Sequence, residues 1–382
     1  MARRLKIAQL ITRLDRGGAS DMVVALCERL DRARFEVTLI TGPSADPVEE
    51  PRHLAERLDI TVAECPDLRR DIRPGQDLRA LFALRRYLRD LRPDIVHAHT
   101  SKAGALGRMA AHVAGAAVVY SPHGHLFYGY YGRLGTGLVL LAERVLAPLA
   151  DVIAVLTDRS RGEHLDRAIG CHDQFVTVPS GVDLERFCVD DTARAATREK
   201  LGLADRFLVG WVGRLTAVKA PDTFIAAAAR AAPRLPAAAF VVVGDGELRA
   251  EAEEQAKTLG LGGRCVFLGQ RDDVPALLNA CDAFVLSSRN EGLGLAVVEA
   301  AACGTPVVAT DVGGVREVLQ DGRAGLLVPA DRADTLADAV LALAGDDGLR
   351  RRLVRAGLDR AEQFSVAVMV DQYAHLYEEL VP

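Results

Sequence analysis

The segment Ala283–Ala300, AFVLSSRNEGLGLAVVEA, reads as a strand, a glycine loop and the start of a helix in unbroken succession. Ala283 to Leu286 form an apolar run of strand length, Gly292 and Gly294 break the backbone, and apolar residues at helical spacing resume at Leu295. That sequence of elements is the repeating unit of a doubly wound α/β domain, which binds its ligands at the carboxyl ends of the strands. Gly292 and Gly294 let backbone amides approach a ligand, and the helix start beyond them offers unpaired N–H groups and partial positive charge suited to phosphate. Glu291 stands at the mouth of the loop and Glu299 about two turns further on. Two carboxylates so placed suit the sugar hydroxyls at both ends of a nucleotide diphosphate sugar; the plainer alternative is a capped helix with a solvated acidic face.

The same alternation extends in both directions. Upstream of Pro179, apolar runs KIAQLI, EVTLIT, ITVAE, DIVHAH, AVVYS, DVIAVL and QFVTV read as strands, with a helix through Asp77–Leu91 among the segments between them. A polar connector, SGVDLERFCVDDTARAATREKLGL, reads as one helix; a second series, RFLVGWVG, AFVVVG, RCVFLG, AFVLSS, TPVVAT and GLLVP, follows it. The expectation is α/β: two Rossmann-like doubly wound domains facing a cleft. Their bounds are placed at 1–185 for an acceptor domain and 186–363 for a donor domain.

Composition agrees with a globular enzyme: 382 residues, 49% hydrophobic and 26% charged, with a formal net charge of −5. The charge is uneven, 26 Lys+Arg against 25 Asp+Glu up to residue 190 and 21 against 27 beyond it, so an anionic partner should meet the first half. An acidic total disfavours nucleic acid. The seven cysteines include no C-x-x-C pair and read as free thiols of a reducing compartment. MARRLKIAQLI reads as a first strand, not a signal peptide, and GLVLLAERVLAPLA, the most lipid-like run, is interrupted by Glu143, Arg144 and Pro148. The expected location is cytoplasmic, peripheral on the inner face of the membrane.

Other strand ends carry chemistry too. Arg214 and Lys219 lie five residues apart in GRLTAVK, where they can reach both phosphates of a leaving diphosphate. Asp245 and Gly246 in VVGDGELR, with Leu268 and Arg271 in VFLGQR, make tight turns on which a flat base can lie. Gly17-Gly18-Ala19 follows the first strand, yet neither G-x-G-x-x-G nor G-x4-G-K-[ST] occurs, which counts against dehydrogenases and P-loop enzymes. His97, His99, His123 and His125 lie at strand ends without Cys, Asp or Glu at ligand spacing, so catalytic or orienting imidazoles are expected, His123 first, and no metal.

These motifs, in this order and along nearly the whole chain, resemble retaining glycosyltransferases of family 4, with the GT-B fold. The resemblance implies that Arg214 and Lys219 bind the donor diphosphate and Glu299 the ribose. It also implies that Glu291, with Gly292, Leu293, Gly294 and Leu295, holds the transferred sugar and its phosphate. Gly18 would close over the diphosphate, and His123 would sit near the donor sugar, so Glu291, Arg214, Lys219 and His123 form the expected catalytic set. Residues 364–382 would pack back on the first domain. The family's usual Lys-Gly is here Lys219-Ala220, and the aromatic residue often found after the first glutamate's glycine is Leu293, which puts donor identity in doubt. HTSKAGALGR and PHGHLFYGYYG resemble acceptor-side segments of bacterial transferases that build polysaccharide on a lipid diphosphate carrier, which nominates His99, Ser101, Lys102, Phe127 and Tyr128. Arginines of the segment 68–93, with the aromatic residues 127–131, are candidates for contact with anionic lipid. No cofactor is expected, the donor being a nucleotide diphosphate sugar and most commonly a UDP-sugar. Rival readings are an epimerase or hydrolase on the same fold, or a binding protein without catalysis.

Overall fold

The computed structural model describes residues 3–124 and 132–381. It divides into two compact units, Met1–Gly181 with Val366–Pro382, and Val182–Ser365. All thirteen runs read as strands are strands. The first unit holds β1 (Leu5–Ile11), β2 (Phe35–Thr41), β3 (Thr61–Glu64), β4 (Ile95–His99), β5 (Ala117–Ser121), β6 (Val152–Val155) and β7 (Phe175–Thr177). The second holds β8 (Phe207–Val212), β9 (Ala238–Val243), β10 (Cys265–Gly269), β11 (Ala283–Leu286), β12 (Val307–Thr310) and β13 (Leu326–Val328).

Each unit has one parallel sheet, ordered β3-β2-β1-β4-β5-β6-β7 and β10-β9-β8-β11-β12-β13. Strand order reverses between β1 and β4 and again between β8 and β11. In such sheets the two loops leaving a reversal point diverge to opposite faces and leave a crevice, so the loops after β1, β4, β8 and β11 are where a ligand is expected.

Helices cover both faces of the first sheet because its strands are apolar on both sides. One face packs on the helices Gly18–Arg29 and Val366–Leu380, burying Met22, Val23, Leu26, Met369, Tyr373 and Tyr377 with Ile7, Leu39 and Ile95. The C-terminal helix thus belongs to the first unit, as expected. The other face packs on Pro74–Leu91 and Ser101–Ala114 through Ala80, Leu84, Leu88, Leu106 and Ala110. In the second unit Trp211, Phe224 and Phe240 sit in a core with Val285, Leu336 and Val340. The connector's single helix is Asp191–Lys200, capped by Asp190, whose carboxylate accepts the Ala193 amide at 2.8 Å.

Candidate active site at the strand-order reversals

Around the β8/β11 reversal, two loops are stitched together before any ligand arrives. β8 ends in Gly213–Ala220 and β11 in Ser287–Gly294. Ser287, at the first loop position after β11, accepts the Trp211 indole N–H at 3.0 Å and donates to the Ala220 carbonyl at 2.8 Å. Arg289 donates to the Ala217 carbonyl at 2.7 Å and pairs with Asp222 and Asp331, each at 2.7 Å. The Arg289 amide adds a bond to the Val218 carbonyl at 2.8 Å.

The consequence is the central contact of this loop pair. Lys219 Nζ lies 2.6 Å from Glu291 Oε1, and Ser288 Oγ donates to the same oxygen at 2.7 Å. The Glu291 side chain is 8% exposed and that of Lys219 33%, so the carboxylate is a wall of the site while the ammonium keeps a face toward solvent. Gly313 holds this wall: at its φ of 51° an added Cβ would lie 1.7 Å from the Glu291 carbonyl oxygen. Gly294, at φ 86°, caps the helix Leu295–Ala302. No described residue accepts a hydrogen bond from the amides of Gly292, Leu293, Gly294 and Leu295, so they are free for an anion. Leu293 is buried, and Glu299 is half-buried in the second turn of that helix. Arg214 is exposed and has no side-chain partner among the described residues.

The loops after β9 and β10 extend the same edge. The Asp245 carbonyl accepts the Leu215 amide at 3.0 Å, and Gly244 approaches so closely that a Cβ would lie 2.0 Å from the Gly213 carbonyl oxygen. The Asp245 carboxylate, held below its usual range by the Gly246 amide and by Arg249, is bound at 2.8 and 2.7 Å. Arg271, a candidate reader of a base, is engaged by Asp273 in a two-pronged contact at 2.7 and 2.6 Å. Leu268 is half-buried beside it on β10.

In the first unit His97 and His99 are fully buried and His123 is half-buried, and none of the three carries a charge. Parallel register sets Gln9 beside His97, Ile11 beside His99, and His99 beside Ser121. Alternation points all of them at the helix Val366–Leu380. The contacts form one chain. His123 Nε2 lies 2.9 Å from His99 Nδ1, whose Nε2 lies 2.7 Å from Gln9 Oε1. Gln9 Nε2 donates to the Tyr377 hydroxyl at 3.0 Å, which lies 2.6 Å from His97 Nδ1. His97 Nε2 lies 2.8 Å from Ser121 Oγ, itself 3.1 Å from the Tyr373 hydroxyl. Burial pushes His97 and His99 well below the usual imidazole range, neighbouring imidazoles adding a smaller effect, and burial pushes His123 down to about 4. All three are therefore neutral at pH 7.

His99, nominated for the acceptor side, is fully buried and reaches outward only through His123, because β4 turns it toward the C-terminal helix. Lys102 is bound to Asp77 Oδ1 at 2.5 Å and the Asp71 carbonyl at 2.6 Å, so its charge is satisfied within its own helix layer. Ser101 and Gly18 are each the first residue of a helix and half-buried. Phe127, Tyr128 and His125 lie outside the described residues. Ser287 and Ser288 read in sequence as the end of the strand AFVLSS, and nothing in the sequence singles out Arg289, Tyr373 or Tyr377. The sequence has one clue to the buried chain, a glutamine in the middle of the apolar run KIAQLI. Among the described residues there is no group of three or more His, Cys, Asp or Glu placed to hold a metal.

Two doubly wound parallel sheets, each with one reversal of strand order, define the GT-B class of fold. Residues 16–186 match the family described as Glycosyltransferase Family 4, and residues 193–360 match Glycosyl transferases group 1. The chain is 30% identical over 363 residues to UDP-Gal:alpha-D-GlcNAc-diphosphoundecaprenol alpha-1,3-galactosyltransferase of Escherichia coli, covering 93% of this chain and 92% of that one. It is 33% identical over 402 residues to D-inositol 3-phosphate glycosyltransferase of Salinispora tropica, covering 96% and 82%. Among solved structures, Anabaena HepE in complex with UDP-glucose superposes with a TM-score of 0.82 at 25% identity, over 98% of this chain and all of that one. The protein belongs to glycosyltransferase family 4, a family of retaining hexosyltransferases.

Proposed function

We propose that the protein moves a hexosyl group, without a metal, from a UDP-sugar to a sugar carried on a lipid diphosphate, in cell-surface polysaccharide synthesis at the inner face of the cytoplasmic membrane. The observation that carries the reading is the Lys219–Glu291 pair beside the unpartnered amides of Gly292 to Leu295. Support for the donor comes from HepE, whose structures hold UDP and UDP-glucose, and support for the acceptor from the E. coli relative's name.

In this reading Lys219 and Arg214 offset the charge that develops on the diphosphate as the C1–O bond breaks. The amides at the helix start hold a phosphate, Glu291 the sugar hydroxyls and Glu299 the ribose. The acceptor hydroxyl bonds to C1 on the face the diphosphate leaves, and its proton passes to the departing phosphate oxygen. Gly18 is assigned to the diphosphate and His123 to the donor sugar. No second carboxylate is required as a nucleophile, in contrast to retaining glycosidases.

The test is a thermal-shift screen with UDP-, GDP- and ADP-sugars, since a donor at a hundredfold its Kd stabilises by about 2.7 kcal/mol. The expected result is a shift with a UDP-sugar that is lost in Lys219→Ala and Glu299→Ala. Release of free sugar at the same rate with and without acceptor would sink the transferase reading.

A further inference from the structure

The helix Arg133–Leu146 in the first unit carries an apolar face that the candidate site does not use. Leu134, Leu138, Leu141 and Val145 are 88%, 69%, 56% and 66% exposed. Their spacing of four, three and four places them within an arc of about 60° along a stripe about 16 Å long. The helix's one acid, Glu143, is turned inward, with Arg108 Nη2 at 2.9 Å and the Tyr120 hydroxyl at 3.2 Å from its carboxylate. The exposed flanks are left with Gly137, Ala142 and Arg144. The four side chains together expose roughly 450 Å², below the ~800 Å² per partner of a stable protein interface, which argues against a second copy of this chain. Aliphatic side chains in line, flanked by a cation and no acid, fit the headgroup boundary of an anionic bilayer.

We propose that this helix seats the protein on an anionic bilayer, which would bring it to the lipid-linked acceptor proposed above. Flotation with phosphatidylglycerol/phosphatidylethanolamine vesicles, against phosphatidylcholine alone, needs neither donor nor acceptor, so its outcome is independent of the transferase reading. The wild type should float with the anionic vesicles, and combined replacement Leu134→Ser, Leu138→Ser, Leu141→Ser and Val145→Ser should reduce this by roughly tenfold or more. The urea midpoint of the ligand-free variant should match that of the wild type, showing that the variant is folded. Equal flotation of both proteins, no flotation of the wild type, or a wild-type dimer that the variant dissociates would each overturn the proposal.

A second inference follows from the direction of the imidazole chain. Gln9 turns Nε2 to Tyr377 and Oε1 to His99, so His99 donates from Nε2 and must accept at Nδ1. His123 then donates from Nε2, and no described residue bonds its Nδ1. Tyr377, having accepted from Gln9, donates to His97, which donates onward to Ser121. We infer that Gln9, His99 and Tyr377 are positioning residues that fix His123 as the Nε2–H tautomer and leave Nδ1 as an acceptor for a substrate hydroxyl. The hydroxyl's identity rests on the proposed function; the tautomer does not.

Side-chain 15N correlation spectra of the ligand-free protein read the tautomer directly. The wild type should show His123 protonated at Nε2. Tyr377→Phe, which lets the Gln9 amide turn either way, should give a tautomer mixture and a kcat about fivefold lower at unchanged donor KM. An Nδ1–H tautomer in the wild type, or a tautomer that stays fixed in both Tyr377→Phe and Gln9→Leu, would overturn the inference.

Discussion

At the β8/β11 reversal the working groups are charged, partly exposed and drawn from loops: Lys219, Glu291, Arg214 and a row of free amides. At the β1/β4 reversal they are neutral, buried and drawn from strands and a helix some 280 residues away: His97, His99, Gln9 and Tyr377. The first arrangement suits a diphosphate, whose charge favours fixed positive groups in any sequence that can put them at a strand end. The second is a set of dipoles whose value lies in orientation, and burial is what keeps them uncharged. One region should therefore respond to removal of charge and the other to addition of protons.

Acid should produce the largest effect. His97 and His99 are neutral when folded and have an ordinary pKa near 6.5 when unfolded, so the unfolded chain binds more protons below pH 6.5. Stability is thus full above that value and lost as pH falls, by about 2 kcal/mol per imidazole at pH 5. Urea midpoints at pH 7 and pH 5 should differ by the equivalent of about 4 kcal/mol from this pair. A flat profile between those values would mean that the imidazoles are protonated in the fold, and the contrast between the regions would fail.

Removing charge from the other region separates its two cations. Lys219→Ala strands a Glu291 carboxylate that is 8% exposed and should lower stability by about 1.5–3 kcal/mol, with Ser288 retaining part of the contact. Arg214→Ala removes a group without a side-chain partner among the described residues, so stability should change by less than about 0.5 kcal/mol. Both should lower turnover about a hundredfold. Denaturant midpoints read beside kcat would show the split; equal stability losses would indicate that Arg214 is structural.

The two regions were also unequally legible. In the second unit the strand-loop-helix pattern carries glycines and charges within one motif, so AFVLSSRNEGLGLAVVEA discloses both the fold and the groups offered to a ligand. The loop-to-loop stitching by Ser287 and Arg289 was not visible, since it depends on which strands are neighbours. In the first unit, H-x-H predicts two imidazoles on one face but not what they meet. That meeting depends on register and on the return of Val366–Leu380 to this sheet. Tyr373 and Tyr377, one turn apart, look like core in sequence, and only the packed structure shows their hydroxyls at the end of a polar chain. His99 is nominated for the acceptor side by the resemblance of HTSKAGALGR to such segments, and neither that resemblance nor strand alternation says whether its face is covered.

Ala220 gives the smallest and sharpest test of the charged region. The family pattern has glycine after the lysine, and the structure shows why: Ala220 is at φ 49°, ψ 56°, the left-handed region, at the start of the helix Pro221–Ala231. An alanine there costs about 1–2 kcal/mol relative to the right-handed conformation. The Ser287 hydroxyl, which donates to the Ala220 carbonyl, and the Thr223 amide, bound to the same oxygen at 3.1 Å, hold the residue in place. Ala220→Gly relieves that strain while giving the unfolded chain more freedom, which offsets part of the gain. A net stabilisation of about 0.5 kcal/mol is expected, read as a small rise in Tm without loss of activity. If Ala220→Gly instead destabilises the protein and raises donor KM, the alanine is needed to hold Lys219 against Glu291, and the loop is set by backbone restraint as well as by charge.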